Sequence, residues 1–190
     1  MLVRRRSLLF AAVAALAPLA AAPHHRLIVV SVDGLMPRTL ANAAALGLKI
    51  PNLIEFRDGG AHAAGLRGVF PSVTYPSHTT IATGVEPAVH GIFANTIFDP
   101  ELRTGGAWFA FSESIRVPTL WEVARSAGLR TAAVSWPVTV GAAIDYNIPE
   151  YYPLFTAAHL MMQRAISTPG LLSEFERAEG PIRTGGRQDD

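Results

Sequence analysis

Three short stretches carry the residue types and spacings that could do chemistry. The first is Asp33, followed by Gly34, at the end of the apolar run Leu27-Ile28-Val29-Val30-Ser31-Val32. In parallel α/β sheets ligands bind beyond the carboxyl ends of the strands, and a carboxylate there can meet a hard cation. It can equally cap the segment that follows. The second is Phe70-Pro71-Ser72-Val73-Thr74-Tyr75-Pro76-Ser77-His78-Thr79-Thr80. Two prolines restrict the backbone around Thr74, and a helix is expected just beyond it over residues 77–83. A hydroxyl at a helix N-terminus sits where free N–H groups and the helix dipole favour an anion, a sensible place for a nucleophile that attacks phosphorus. The same hydroxyl could simply cap the helix. The third is Val89-His90-Gly91-Ile92-Phe93-Ala94-Asn95, where an Asn shortly after a glycine turn can donate side-chain N–H groups to an oxyanion or close a turn.

Other chemistries are excluded. The chain has no cysteine, so it has no disulfide scaffold, zinc ribbon or thiol nucleophile. Any metal must be held by Asp, Glu or His. Six histidines occur, at 24, 25, 62, 78, 90 and 159, and none pairs with another at H-x-x-x-H spacing. There is no G-x-S-x-G elbow, P-loop or G-x-G-x-x-G.

The elements that must position these residues follow an α/β order. The run at 27–32 is fully apolar and β-branched, as expected of a strand buried on both faces. Helices are expected over 38–47, 51–57, 77–83, 120–127 and 171–179, with Gly47, Gly59-Gly60, Gly84 and Gly128 as stops. Further strands are expected at 64–70 and 130–136. Strands alternating with helices point to an α/β fold with a mainly parallel sheet.

The front of the chain reads as an address. Arg4-Arg5-Arg6 precede an apolar segment running to Ala17, then Pro18 and the small residues Ala20-Ala21-Ala22. That layout is a secretory signal over residues 1–22, too short and interrupted for a membrane span. Arg5-Arg6-Ser7-Leu8-Leu9 also resembles a twin-arginine signal. Residues 23–190 then form the mature domain in an exported, periplasmic or secreted protein. Residues 1–22 hold three arginines and no acid, so their removal takes the formal charge from +1 to −2. The mature part has no basic stripe for bulk nucleic-acid binding.

Read in order, Val30-Ser31-Val32-Asp33-Gly34-Leu35, Pro51-Asn52-Leu53, Phe70 to His78, Thr83-Gly84, Pro87-Ala88-Val89-His90-Gly91-Ile92 and Asn95 form one pattern. The later Val117-Pro118-Thr119-Leu120-Trp121, Gly128 and Ser135-Trp136-Pro137 continue it. The pattern resembles the nucleotide pyrophosphatase/phosphodiesterase (type I phosphodiesterase) branch of the alkaline phosphatase superfamily. Sulfatases share that superfamily's fold but need a C/S-x-P-x-R motif, which is absent here.

The resemblance implies an alkaline-phosphatase-like three-layer sandwich, incomplete in this chain, and a hydrolase of phosphate diesters or nucleotide pyrophosphates. It implies two zinc ions, with Asp33 and Thr74 as ligands. It makes Thr74 the nucleophile of a covalent phospho-threonine intermediate, with Asn95 and the Thr74 backbone N–H holding a phosphate oxygen. It makes His78 and His90 scaffolding. The family's further ligands lie in later Asp-x-x-x-His and Asp-His patterns, and this sequence has none after residue 95. The terminal Asp189-Asp190 is expected to be part of a loop. The expectation is therefore an N-terminal portion of a zinc phosphodiesterase acting on a small phosphate ester or nucleotide. The alternatives are an inactive fragment or an exported phosphate- or partner-binding module.

Overall fold

A computed structural model describes residues 26–101, 103, 105–152 and 159–182. The expected signal at 1–22, His24, His25 and the Asp189-Asp190 pair lie outside the described residues. The chain divides into two units, Met1–Leu35 and Met36–Asp190.

In the first unit, residues 26–32 are extended and then turn at Asp33-Gly34. Gly34 has φ +72° and the Leu35 N–H donates to the Val32 carbonyl at 3.3 Å. The expected strand is corrected here: residues 27–32 are not in a strand, and Leu27, Ile28 and Val30 are about four-fifths exposed. β-branched residues favour an extended backbone by themselves. A strand also needs a neighbour to take its N–H and C=O groups.

The second unit is mainly helical: α1 (Pro37–Ala41), α2 (Pro51–Gly59), α3 (Thr74–Thr83), α4 (Pro87–His90), a 3₁₀ turn (Ser112–Ser114), α5 (Leu120–Ser126), α6 (His159–Ile166) and α7 (Leu171–Glu179). Between α5 and α6, β1 (Ala132–Val134) pairs in parallel with β2 (Tyr146–Ile148), with Ala133 opposite Asn147. This helix-rich unit with a parallel strand pair fits the expected α/β class. The expected strand at 64–70 is absent. That segment carries Gly65 and Gly68, which weaken a strand, and Leu66 and Phe70 are exposed.

Local signals account for the helix ends. Pro37, Pro51 and Pro87 each open a helix, where a missing N–H costs nothing. Thr119 opens α5 with its N–H and its hydroxyl both donating to the Glu122 carboxylate at 2.7 Å, the reach-back arm of a capping box. Gly84 closes α3 at φ +73°, its N–H donating to the Thr80 carbonyl at 2.8 Å.

Tyr75, Ile92 and Val138 are fully buried at the centre of the core, with Trp108, Phe109 and Ile115 packed around them. Trp108 meets Tyr75 edge-on at 5.1 Å between ring centroids. Val138 sits at φ +57°, a strained conformation for a β-branched residue that its complete burial holds in place. The strand pair is latched at one end by Asp145, whose carboxylate accepts from the Thr131 N–H at 2.9 Å and its hydroxyl at 3.0 Å.

Candidate active site

Helix α3 begins at Thr74, three residues before the expected start. Pro76 explains the difference. The first four N–H groups of a helix have no intrahelical partner, so a proline in the third helical position fits inside the first turn instead of preceding it. The first backbone bond of α3 is Ser77 N–H to the Val73 carbonyl, 3.2 Å. Thr74 is therefore the first helical residue, half-buried at the positive end of a ten-residue helix.

The preceding residue, Val73, has no side chain that could cap α3. The cap comes instead from twenty residues away: the Tyr75 N–H donates to Asn95 Oδ1 at 2.9 Å. Asn95 is itself pinned through its carbonyl, which accepts from the Phe109 N–H at 2.9 Å, beside the antiparallel bridge between Thr96 and Trp108. A planar amide whose oxygen accepts from the helix still carries two Nδ2 hydrogens as donors.

Two histidines brace this arrangement. His78, one turn after Thr74 and buried, has Nδ1 2.8 Å from the Thr74 carbonyl. A carbonyl only accepts, so Nδ1 carries the proton and donates. Its ring stands edge-on to Trp136 at 5.3 Å. His90 is completely buried. Its Nδ1 accepts from the Ile92 N–H at 3.1 Å and its Nε2 lies 3.0 Å from Thr80 Oγ1. Burial holds the His90 imidazole below its ordinary value of 6.5, against smaller opposing effects of the Pro76 carbonyl and Glu86. Burial first, and the Glu150 carboxylate second, keep the Tyr75 phenol neutral.

Of the three sequence-identified residues, Thr74 and Asn95 meet at one helix end. Asp33 belongs to the first unit, where it lies exposed in the Asp33-Gly34 turn. Among the described residues no three His, Asp or Glu side chains gather as a group that could hold a metal ion. A closed zinc site takes three or four protein ligands, so the described residues do not by themselves fit the two-zinc centre that the resemblance implies.

The resemblance is confirmed by comparison. A family model for type I phosphodiesterase/nucleotide pyrophosphatase matches residues 27–179. The chain belongs to that family. Venom phosphodiesterase 2 of Crotalus adamanteus is 36% identical over 128 residues, covering 64% of this chain and 15% of the venom protein. Ectonucleotide pyrophosphatase/phosphodiesterase family member 3 of Mus musculus is 26% identical over 164 residues, covering 81% of this chain and 18% of that protein. Member 1 of Homo sapiens is 24% identical over 143 residues, covering 72% and 15%. The chain thus spans less than a fifth of the length of these curated relatives. The family match brings with it the alkaline-phosphatase-like fold class, of which the parallel β1–β2 pair is the sheet portion among the described residues.

The scaffolding role expected of His78 takes the form of its bond to the Thr74 carbonyl, whereas the accepting role of Asn95 was not expected. A histidine four residues after Thr74 shares its helix face, and that spacing was the available signal. The bond between Tyr75 and Asn95 had no local signal.

Proposed function

We propose that this chain carries the nucleophile-bearing part of an exported hydrolase of phosphate diesters or nucleotide pyrophosphates. Thr74 is the nucleophile and Asn95 the phosphate-binding amide. The observation that supports the reading is the Tyr75–Asn95 hydrogen bond, which uses the amide oxygen and brings an amide with two N–H donors to the residue next to a threonine at a helix N-terminus.

An incoming phosphoryl group meets the positive end of α3, with the Asn95 Nδ2 hydrogens available to one of its oxygens. The Thr74 oxygen attacks phosphorus, and the bond to the leaving alcohol or nucleotide breaks. The covalent phospho-threonine, which still carries the other ester group of the substrate, is then opened by water: the water oxygen bonds to phosphorus, the Thr74–phosphorus bond breaks, a phosphate monoester leaves and a water proton restores the hydroxyl. His78 fixes the Thr74 carbonyl, and so the first-turn backbone, while this happens. The near-neutral mature charge fits a small ester or nucleotide in preference to a nucleic-acid polymer.

Zinc would supply the activation that a threonine hydroxyl lacks at neutral pH. The described residues offer too few donors for two ions, so ligands beyond Asp33 and Thr74 are required. Export rests on the basic, apolar and small-residue order of residues 1–22. Among the described residues no helix is long and apolar enough to cross a membrane.

A second reading, a phosphate-binding module without turnover, is favoured by the lack of such a donor cluster among the described residues. One experiment separates the two. The purified chain is incubated with zinc and a nitrophenyl phosphodiester, with and without Thr74→Ala, and analysed by intact mass and product release. The expected result is little multiple turnover by the 190-residue chain, with a Thr74-dependent covalent adduct. Inorganic phosphate binding that needs Asn95, with no adduct, selects the module. Robust turnover that survives Thr74→Ala rules out the nucleophile assignment. Rates on the diester against the matching monoester then narrow the substrate.

A further inference from the structure

His90 is fully buried, and both of its ring nitrogens are engaged. A backbone N–H can only donate, so the bond from Ile92 N–H to Nδ1 requires Nδ1 to be unprotonated. In the neutral ring the proton is then on Nε2, which donates to Thr80 Oγ1. One tautomer alone satisfies both contacts. Thr80 lies in α3, and Ile92 lies three residues before Asn95. The close approach of His90 to the Ile92 N–H depends on the intervening Gly91 at φ +88°, a left-handed turn open to glycine. A Cβ at Gly91 would lie 2.8 Å from the Arg116 side chain, and the Arg116 N–H donates to the His90 carbonyl at 3.1 Å.

These contacts form a closed bracket. It runs from Thr80 in α3 to the His90 ring, to the Ile92 N–H and along the chain to Asn95. From there Asn95 Oδ1 returns to the Tyr75 N–H at the other end of the same helix. Ile92 and Tyr75 are both buried in the core, so core packing closes the bracket as well.

We propose that His90 is a positioning residue, a neutral imidazole whose bond to the Ile92 N–H sets where the Asn95 side chain meets the first turn of α3. It acts through Asn95 and touches no substrate. Its consequence for phosphate binding rests on the proposed function above. The bracket itself does not. The charged groups facing this part of the structure are Glu86 at the start of α4 and Arg116 over Gly91, while α3 presents Thr80 and the Pro76 carbonyl.

The test is residue-resolved amide hydrogen exchange on the full 190-residue chain at a pH above 6.5, comparing wild type with His90→Gln and His90→Asn. The asparagine oxygen falls where Nδ1 accepts from Ile92. The glutamine nitrogen falls where Nε2 donates to Thr80. In His90→Gln the Tyr75 amide should exchange about tenfold faster, as for a lost hydrogen bond, while the Gly84 amide at the far end of α3 keeps its protection. His90→Asn should restore Tyr75 protection to near the wild-type level. Equal Tyr75 protection in wild type and His90→Gln overturns the proposal, as does equal loss in both variants. Should His90→Gln fail to fold, the ¹⁵N shifts of the wild-type ring decide. An unprotonated Nδ1 and a protonated Nε2 are expected, and the opposite tautomer overturns the proposal. Titration with inorganic phosphate runs in parallel. If Tyr75 protection follows His90 as stated while no form binds phosphate, the functional reading fails and the positioning role stands.

Discussion

Asn95 offers the sharpest separation of stability from function, because its two side-chain atoms have different tasks. Oδ1 caps α3 through the Tyr75 N–H at 2.9 Å, and under the proposed function Nδ2 donates to a phosphate oxygen. Asn95→Ala removes the cap and leaves a first-turn N–H without its partner. Loss of a capping side chain costs about 1 kcal/mol. In a unit of this size, that corresponds to a fall in Tm of about 2–4 °C. Asn95→Asp keeps an acceptor at the same place and adds a negative charge at a helix N-terminus, which contributes about 0.3–1 kcal/mol in the stabilising direction. The aspartate also replaces two donors with an oxygen that repels phosphate. The expected pattern is therefore opposed. Asn95→Ala is less stable by urea and thermal denaturation, and Asn95→Asp is as stable as wild type or more so, yet both lose inorganic phosphate binding. Equal destabilisation by the two substitutions would refute the capping role. Retained phosphate binding in Asn95→Asp would refute the amide as the anion donor.

Gly84→Ala should destabilise the chain by about 1 kcal/mol in urea denaturation, because a side chain at φ +73° is strained in the left-handed region. Glu122→Ala should cost a similar amount, about 1 kcal/mol, by removing the acceptor of both Thr119 donors, while Glu122→Gln should retain most of it. The Asp145 carboxylate is held below its ordinary 3.8, first by the Thr131 N–H, then by the Thr131 hydroxyl and the nearby arginines. The unfolded chain thus binds the proton more readily, so this stabilisation is present above 3.8 and is lost as pH falls through the lowered native value. Asp145→Asn should flatten that acid limb of a stability–pH curve. His90 adds a second slope. Its native value lies below 6.5, so the unfolded chain takes up more protons as pH drops from 6.5 and stability falls until the native ring is also protonated. His90→Asn should remove this slope in denaturation measured across the same pH range.

How much could be read in advance depended on the range of the interactions. Helices α2, α5 and α7 lie within a few residues of where Pro51, Thr119 and the amphipathic pattern at 171–179 put them. Their ends are set by φ angles and hydrogen bonds that span one turn. Helix α1 ends at Ala41, where the Asn42 side chain donates to the Arg38 carbonyl at 2.8 Å, and the chain runs on to Gly47 as hydrogen-bonded turns. Strand β2 was missed: three residues of Tyr146-Asn147-Ile148 carry no alternation, and they are a strand only because β1 lies alongside. The strand expected at 64–70 failed for the converse reason, since an apolar composition with two glycines does not supply a partner.

The site divides along the same line. The sequence alone determined that a threonine between two prolines would stand at the start of a helix, and that an asparagine would follow a glycine turn. It also determined the family, through the order of those motifs. Each of these is a matter of local conformation or of residue order. Tertiary structure decided that Asn95 reaches back twenty residues to cap α3, that His90 is held in one tautomer between Thr80 and Ile92, and that His78 secures the Thr74 carbonyl. It also decided that the most strand-like run of the chain, residues 27–32, is extended without being a strand. A hydrogen bond needs both partners in place, and chain sequence names the partners without bringing them together.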